Sequence, residues 1–237
     1  MRKCRSCSTA VIVAALVLAG FTTACAAPAP SSTTPTETPS AAESPEQEQP
    51  TEGDAVEEPA VPEPPAPAPA PASKQALFVI YKQFQESEYG EPRTILEDKG
   101  VIVTVASSSL DVVTGHLGTR VEPDIVLSDV HAADYDAIVF VGGYGYDRKD
   151  PEACRVAQEA AAEGKVLAAI CVAPITLAKA GVLKGKRATA SVPASTLKAE
   201  GAIYTGALVE RDGLIITANG PMAARRFGEA IAAALEE

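Results

Sequence analysis

Short apolar runs alternate with helical patterns through the last two thirds of the chain. Three runs are apolar at consecutive positions, as strands buried in a sheet are: 76–81, 137–141 and 166–170. A fourth run, at 101–106, is rich in β-branched residues and also predicts a strand. Helical patterns separate or follow these runs, at 91–99, 151–163, 174–180 and 222–236. Strands alternating with helices predict an α/β fold with a mostly parallel sheet and helices on both faces.

Two further segments fit this alternation less simply. Residues 107–129 are irregular, with short strands predicted around 120–127, and residues 188–217 have a hairpin-like pattern. The helix at 151–163 is better defined, because proline stands in its first turn and Gly164 follows its end.

Three features fall where predicted strands end: the segment 83–88, the pair Gly142-Gly143, and Cys171. In parallel sheets, ligands bind beyond the carboxyl ends of the strands, so these features predict one site. Cys171 stands where the strand at 166–170 meets a helix start, and exposed N–H groups there favour a thiolate. It is the candidate reactive atom, and the alternative is a buried structural thiol.

The first 25 residues have the order of an export signal. Three basic residues come first, an uncharged apolar run follows at 10–21, and small residues complete it. The sequence Thr22-Thr23-Ala24-Cys25 resembles a bacterial lipobox, which predicts lipidation of Cys25 and anchoring to the outer face of the cell membrane. Ordinary signal cleavage with secretion, and a retained hydrophobic anchor, are the alternatives.

Composition divides the rest of the chain. Residues 26–73 are rich in Pro, Ala, Glu, Ser and Thr, with nine acidic residues and no Lys or Arg, which predicts a disordered tether. Residues 74–237 form the predicted domain and carry 17 Lys and Arg against 22 Asp and Glu, a net charge of −5. They contain no basic patch, so nucleic acid is not expected as a partner.

Several other chemistries lack their residues. The histidines His116 and His131 and the cysteines Cys154 and Cys171 have no metal-ligand spacing, so no metal is expected. A Cys154–Cys171 disulfide is not expected either, because a helix and a strand end hold the two residues. The Gly-rich run at 142–145 lacks the spacing of a dinucleotide or phosphate loop, and no cofactor is predicted.

The segments at the strand ends also resemble the DJ-1/PfpI family, whose fold is flavodoxin-like. The resemblance extends over residues 76–235 and rests on Ala169-Ile170-Cys171 before Pro174, on Gly142-Gly143, on Glu88 before Pro92, and on the segment 212–217. It implies that Cys171 is the nucleophile and that Glu88 hydrogen-bonds it. It further implies that the N–H groups of Gly143 and Val172 hold an oxyanion.

The pocket around this cysteine has three further candidates: Gly142, Tyr144 and Ser191. A carboxyl group held against a thiolate is expected to be protonated and to donate a hydrogen bond to sulfur. Val172 stands where protease-like relatives have histidine, which weakens a hydrolase interpretation. Relatives that act on glyoxals or glycated groups often have a histidine in the segment matching 188–193, and this chain has none there.

The leading hypothesis is therefore a membrane-tethered domain whose Cys171 reacts with oxidants or small carbonyl electrophiles. A binding or assembly module on the same fold is the first alternative, and a PfpI-like cysteine peptidase or amidase is the second. Because members of the family commonly dimerise, the resemblance leaves a homodimer open.

Overall fold

The structure, a computed structural model, describes residues 73–237; the predicted signal, the Cys25 lipidation site and nearly all of the tether lie outside them. The strands in this part of the chain are β1 (Gln75–Val79), β2 (Ile102–Ser107), β3 (Val113–Thr114), β4 (Arg120–Val121), β5 (Ile125–Val126), β6 (Ala137–Phe140), β7 (Val166–Ile170), β8 (Arg187–Ala188), β9 (Ile203–Tyr204), β10 (Val209–Asp212) and β11 (Ile215–Ala218). The α-helices are α1 (Glu86–Asp98), α2 (Pro151–Ala162), α3 (Pro174–Lys179), α4 (Ala194–Ala199) and α5 (Ala224–Leu235).

Seven strands form the central sheet in the order β10-β11-β7-β6-β1-β2-β5. All neighbouring pairs are parallel except β10 with β11. The predicted α/β fold with a mostly parallel sheet is therefore confirmed. Because β1, β6 and β7 are adjacent and parallel, the loops that follow them lie side by side at one edge of the sheet.

Helices cover both faces of the sheet, and each face has its own apolar core. One core includes Phe78, Phe227 and Ile231, and packs beneath α1 and α5. The other includes Leu167, Val156 and Leu177, and packs beneath α2 and α3. Helix α5 shows why the sequence folds in this way: Phe227 and Ile231 are buried one turn apart on one side.

Helix α1 begins at Glu86, so the predicted start at residue 91 was wrong. Pro92 lies inside the helix, where Tyr89, Pro92 and Leu96 are buried. Gly228 of α5 lies so close that a Cβ there would be 2.7 Å from the Pro92 Cα. The two helices can therefore pack this closely because residue 228 is glycine, and the earlier helix start makes Glu88 a helical residue.

The hairpin-like prediction for 188–217 was correct only at its end. Strands β10 and β11 are antiparallel, but β8 and β9 pair in parallel with α4 between them. A parallel pair needs such a crossover, and the short α4 supplies it in a segment where the hydrophobic pattern showed only strands.

No helix among residues 73–237 is long and apolar enough to cross a membrane.

Candidate active site at a strand-to-helix elbow

Cys171 stands directly after β7 in a left-handed backbone conformation, with φ of +65°. Its N–H donates to the Ala218 carbonyl at 2.9 Å, and its own carbonyl accepts from the Ser191 N–H at 2.7 Å. A side-chain-bearing residue is strained at this φ, and these two hydrogen bonds hold it there. The turn projects the half-buried side chain beyond the strand end, as in a nucleophile elbow.

The loop after β1 contains the second strained residue. Among residues 73–237, Gln83 and Cys171 are the two non-glycine residues with positive φ, and Gln83 has a φ of +54°. The Gln83 carbonyl accepts from the Tyr144 N–H at 3.0 Å, which ties the loop after β1 to the loop after β6. Backbone strain in the described chain is thus confined to the edge of the sheet where the site lies.

The Gly142-Gly143 pair permits close approach around the cysteine. A Cβ added at Gly142 would lie 2.6 Å from the Cys171 Cβ and 2.6 Å from the Glu88 Oε2. The Cys171 Cβ and the Glu88 Oε2 therefore both border the small space that this Cβ would fill. The two side chains are neighbours, and only a glycine lies between them. Gly143 has a φ of +153° and lies against the backbone of Gln83 and Phe84, where a Cβ would collide.

Glu88 projects from the first turn of α1 into this gap, and its side chain is fully buried. Neither carboxyl oxygen has a well-formed hydrogen bond to another described residue. Burial raises the pKa of Glu88 to about 7, and the Cys171 side chain and the Gly142 N–H act in the opposite direction. The structure thus brings Glu88 beside Cys171 in a form that still holds a proton near neutral pH.

The environment of the thiol differs from the sequence-based expectation. Burial, and then the charge of the Glu88 carboxylate, raise the pKa of Cys171 to about 12. Hydrogen bonds from the Val172 N–H and the Ser191 side chain lower it, but they are outweighed. The helix that follows is α3, with only six residues. Its terminus therefore does not by itself make Cys171 a thiolate.

The two groups titrate as a pair because each is the other's neighbour. Between pH values of about 7 and 12 the pair holds one of its two protons. That proton can sit on the carboxyl group, leaving a thiolate, or on sulfur, leaving a carboxylate. The chemistry of the site depends on how often the first arrangement occurs.

A cavity of about 350 Å³ opens over Cys171, small enough to suit a small molecule. Its walls come from the loops after β1, β6 and β7 and from two later segments: Gln85, Glu88, Gly143, Tyr144, Arg148, Cys171, Val172, Ser191 and Pro221. Every candidate residue of the predicted domain lines it except Gly142, which lies beneath, between Cys171 and Glu88. The larger groove of about 640 Å³ beside Arg225 has no cysteine, so volume alone does not locate the site.

Sequence reasoning missed three residues of this cavity: Gln85, Arg148 and Pro221. Gln85 lies in the segment 83–88, whose place after β1 was a usable signal, whereas Arg148 lies further along the loop after β6 and carried none. Pro221 follows β11 and carried no such signal.

His116 and His131 are exposed. His116 nevertheless stacks on Tyr144, with ring centroids 4.4 Å apart, and so supports a wall of the cavity without lining it. Cys154 and Cys171 are both free thiols. Residues 73–237 bring together no group of three His, Cys, Asp or Glu side chains that could hold a metal ion.

A parallel sheet flanked by helices, with a cysteine on a strained strand-to-helix turn and a buried carboxyl group beside it, defines an α/β protein of the nucleophile-elbow class. Residues 74–234 match the DJ-1/PfpI family. The chain therefore belongs to the DJ-1/PfpI family, as the resemblance predicted.

Individual relatives agree with this assignment. The chain is 37% identical over 171 residues to an uncharacterized protein of Methanocaldococcus jannaschii, which covers 70% of this chain and 83% of that protein. It is 34% identical over 118 residues to the deglycase PfpI of Pyrococcus furiosus, covering 49% of this chain and 71% of the deglycase. The crystal structure of a ThiJ/PfpI domain protein from Brachyspira murdochii superposes with a TM-score of 0.67 and 29% identity, over 70% of this chain and 98% of that one.

Proposed function

We propose that this protein is a membrane-tethered member of the family whose Cys171 reacts with small carbonyl electrophiles or oxidants. The observation that carries the proposal is the buried Glu88–Cys171 pair at the floor of a small cavity. The similarity to a Pyrococcus deglycase supports carbonyl chemistry in particular.

With a carbonyl compound, the thiolate sulfur of Cys171 attacks the carbonyl carbon and a C–S bond forms. The electron pair of the C=O double bond moves to oxygen, which takes the proton of the Glu88 carboxyl group. The N–H groups of Gly143 and Val172 stabilise the charge that develops on that oxygen. The product is a hemithioacetal on Cys171 beside a Glu88 carboxylate, and the proton returns when the adduct leaves.

With a peroxide, the same thiolate attacks one peroxide oxygen. The O–O bond breaks, sulfur is oxidised to sulfenic acid, and the other oxygen leaves reduced, as hydroxide. Glu88 supplies a proton to that leaving group or, afterwards, a hydrogen bond to the sulfenate.

The test is the pH dependence of Cys171 alkylation by iodoacetamide, measured by mass spectrometry of the tryptic peptides of the full chain. If the pair shares a proton, the rate rises with an apparent pKa near 7 and then levels off. In Glu88→Gln this rise disappears, and Cys171 reacts only above the free thiol value of about 8.5. Cys154 in the same digest is the internal control.

The opposite result would overturn this role of Glu88. If Glu88→Gln makes Cys171 react at lower pH than the natural protein, the carboxylate only repels the thiolate. The pKa of about 12 for Cys171 would then favour the binding or assembly module, which needs no thiolate. A peptidase or amidase has the least support, because neither histidine of the described residues lines the cavity.

Anchoring is the second part of the proposal, and it rests on the sequence at Cys25. We expect metabolic labelling with palmitate and recovery in the membrane fraction, facing away from the cytoplasm. Cys25→Ala should lose both the label and the membrane association. Release of an unlabelled natural protein into the medium would instead establish secretion.

A further inference from the structure

Arg148 is the feature of the cavity that the reaction above does not use. It stands in the loop between β6 and α2, and it and Glu88 are the two charged residues that line the cavity. Between residues 73 and 237, Arg148 makes no ion pair with any acidic residue. Its guanidinium group is therefore available to a ligand in the cavity.

The backbone on either side of Arg148 is held in place. The Lys179 side chain donates to the Arg148 carbonyl at 2.6 Å. The carboxylate of the preceding Asp147 accepts from the Lys149 N–H at 2.8 Å, and Asp150 caps α2 through the Glu152 N–H at 2.9 Å. The loop thus presents the guanidinium group from a fixed position, although its side chain is exposed.

Gln85 gives a second observation on the same cavity. Its Oε1 atom is buried and has no hydrogen-bond donor among the described residues. The same amide carries an NH₂ group, which is not buried and makes no hydrogen bond to another described residue. This group can donate to a ligand oxygen in the cavity alongside Arg148.

The net negative charge of the domain indicates which ligands need Arg148 to enter the cavity. Residues 74–237 carry more acidic than basic residues, so the domain as a whole repels anions. A neutral carbonyl compound needs no cation beside the nucleophile, whereas a carboxylate needs one to approach a thiolate. Arginine also matches the planar geometry of a carboxylate better than lysine does.

We infer that the electrophile on which Cys171 acts carries a carboxylate near its carbonyl group, as a short 2-oxo acid does, and that Arg148 binds that carboxylate. This inference rests on the proposed function for the chemistry at Cys171. It adds the substrate class, with Arg148 as a specificity-determining residue and Gln85 as its partner.

The test compares two alkylating reagents of nearly equal shape, iodoacetate and iodoacetamide, which differ in charge. Their rates at Cys171 are measured on the full chain by peptide mass spectrometry, and the iodoacetate rate is divided by the iodoacetamide rate. We expect Arg148→Gln to lower this ratio about three- to tenfold, and division by the iodoacetamide rate removes any general change in the reactivity of Cys171. Arg148→Lys keeps the charge and should keep most of the preference.

Lys149→Gln is the matched control, since it removes the same charge from the adjacent exposed residue outside the cavity. It should change the ratio less than about twofold. The inference is overturned if Arg148→Gln leaves the ratio unchanged, or if Lys149→Gln lowers it equally, because the preference would then come from the general field of the surface.

Consumption of glyoxylate and of methylglyoxal by the natural protein tests the reaction at Cys171 independently of carboxylate binding by Arg148. If both are left intact while the reagent ratio depends on Arg148, the carbonyl reaction proposed for Cys171 fails and the anion site stands. If methylglyoxal is consumed and the ratio does not depend on Arg148, the reaction stands and the carboxylate inference fails.

Discussion

The two free thiols of the domain lie in regions that differ in almost every respect that governs reactivity. Cys154 is an ordinary helical residue of α2, half-buried, with its sulfur 4.0 Å from the Thr176 carbonyl. Cys171 is also half-buried, but it has a strained backbone, a buried carboxyl neighbour and a cavity above it. Burial raises the pKa of both thiols, so burial alone does not distinguish a reactive cysteine. The surroundings that the fold supplies make the difference.

Replacing each cysteine with serine in turn tests most directly whether the two thiols differ in reactivity. Cys171→Ser should lower carbonyl or peroxide consumption by at least about 100-fold, because a serine hydroxyl is far less acidic and less nucleophilic than a thiol. Cys154→Ser should leave consumption within about twofold of the natural rate. Equal losses in the two variants would show that the elbow gives Cys171 no advantage.

A large effect is also expected on stability, through Glu88. The folded protein raises its pKa from 4.5 to about 7, so the folded state binds this proton more tightly than the unfolded chain does. The resulting stabilisation is complete below pH 4.5 and is lost as the pH rises through 7, which corresponds to about 3 kcal/mol. Urea unfolding at pH 4.5 and pH 8 should show the natural protein losing that much stability relative to Glu88→Gln.

Glu91→Gln on the same helix is the control for this measurement, because Glu91 is exposed. Its unfolding free energy should follow that of the natural protein at both pH values. A parallel pH dependence for the natural protein and Glu88→Gln would contradict the burial of an ionisable Glu88.

A smaller effect on stability is expected from a substitution in the backbone beside Cys171. Gly142→Ala places a methyl group against Cys171, Glu88 and the Ile170 carbonyl, so we expect it to destabilise the fold by about 1–3 kcal/mol and to slow Cys171 alkylation. Gly90→Ala in α1 meets nothing within 4 Å and should stabilise the helix by up to about 1 kcal/mol. Thermal unfolding of both variants is the measurement, and a stable, fully reactive Gly142→Ala would refute the close approach.

Strands and helices were predictable where a single local sequence pattern was strong. The continuous apolar runs predicted β1, β6 and β7 to within a residue or two, because strands buried on both faces need such runs. The β-branched run predicted β2 equally closely. Helix α2 followed from its initial proline and final glycine. The start of helix α1 did not, because proline is disfavoured inside a helix, yet Pro92 lies inside this one.

The candidate site was predictable at the level of its segments. Strand-end loops pointed to Gly143, Tyr144 and Cys171, and the family resemblance added Glu88 and Val172. Arg148 and Pro221 could not be ranked above other loop residues, because only the packing of several loops decides which side chains face one cavity.

The sequence by itself determined the alternation of strands and helices, the family, and the candidate for the reactive residue. These properties depend on hydrophobic periodicity and short motifs, which are local. The tertiary structure alone decided the protonation of the site. Complete burial of Glu88 and its approach to Cys171 across Gly142 set the pKa values of both groups. Desolvation and charge interactions depend on distances between segments that are far apart in the chain, and no local pattern encodes those distances.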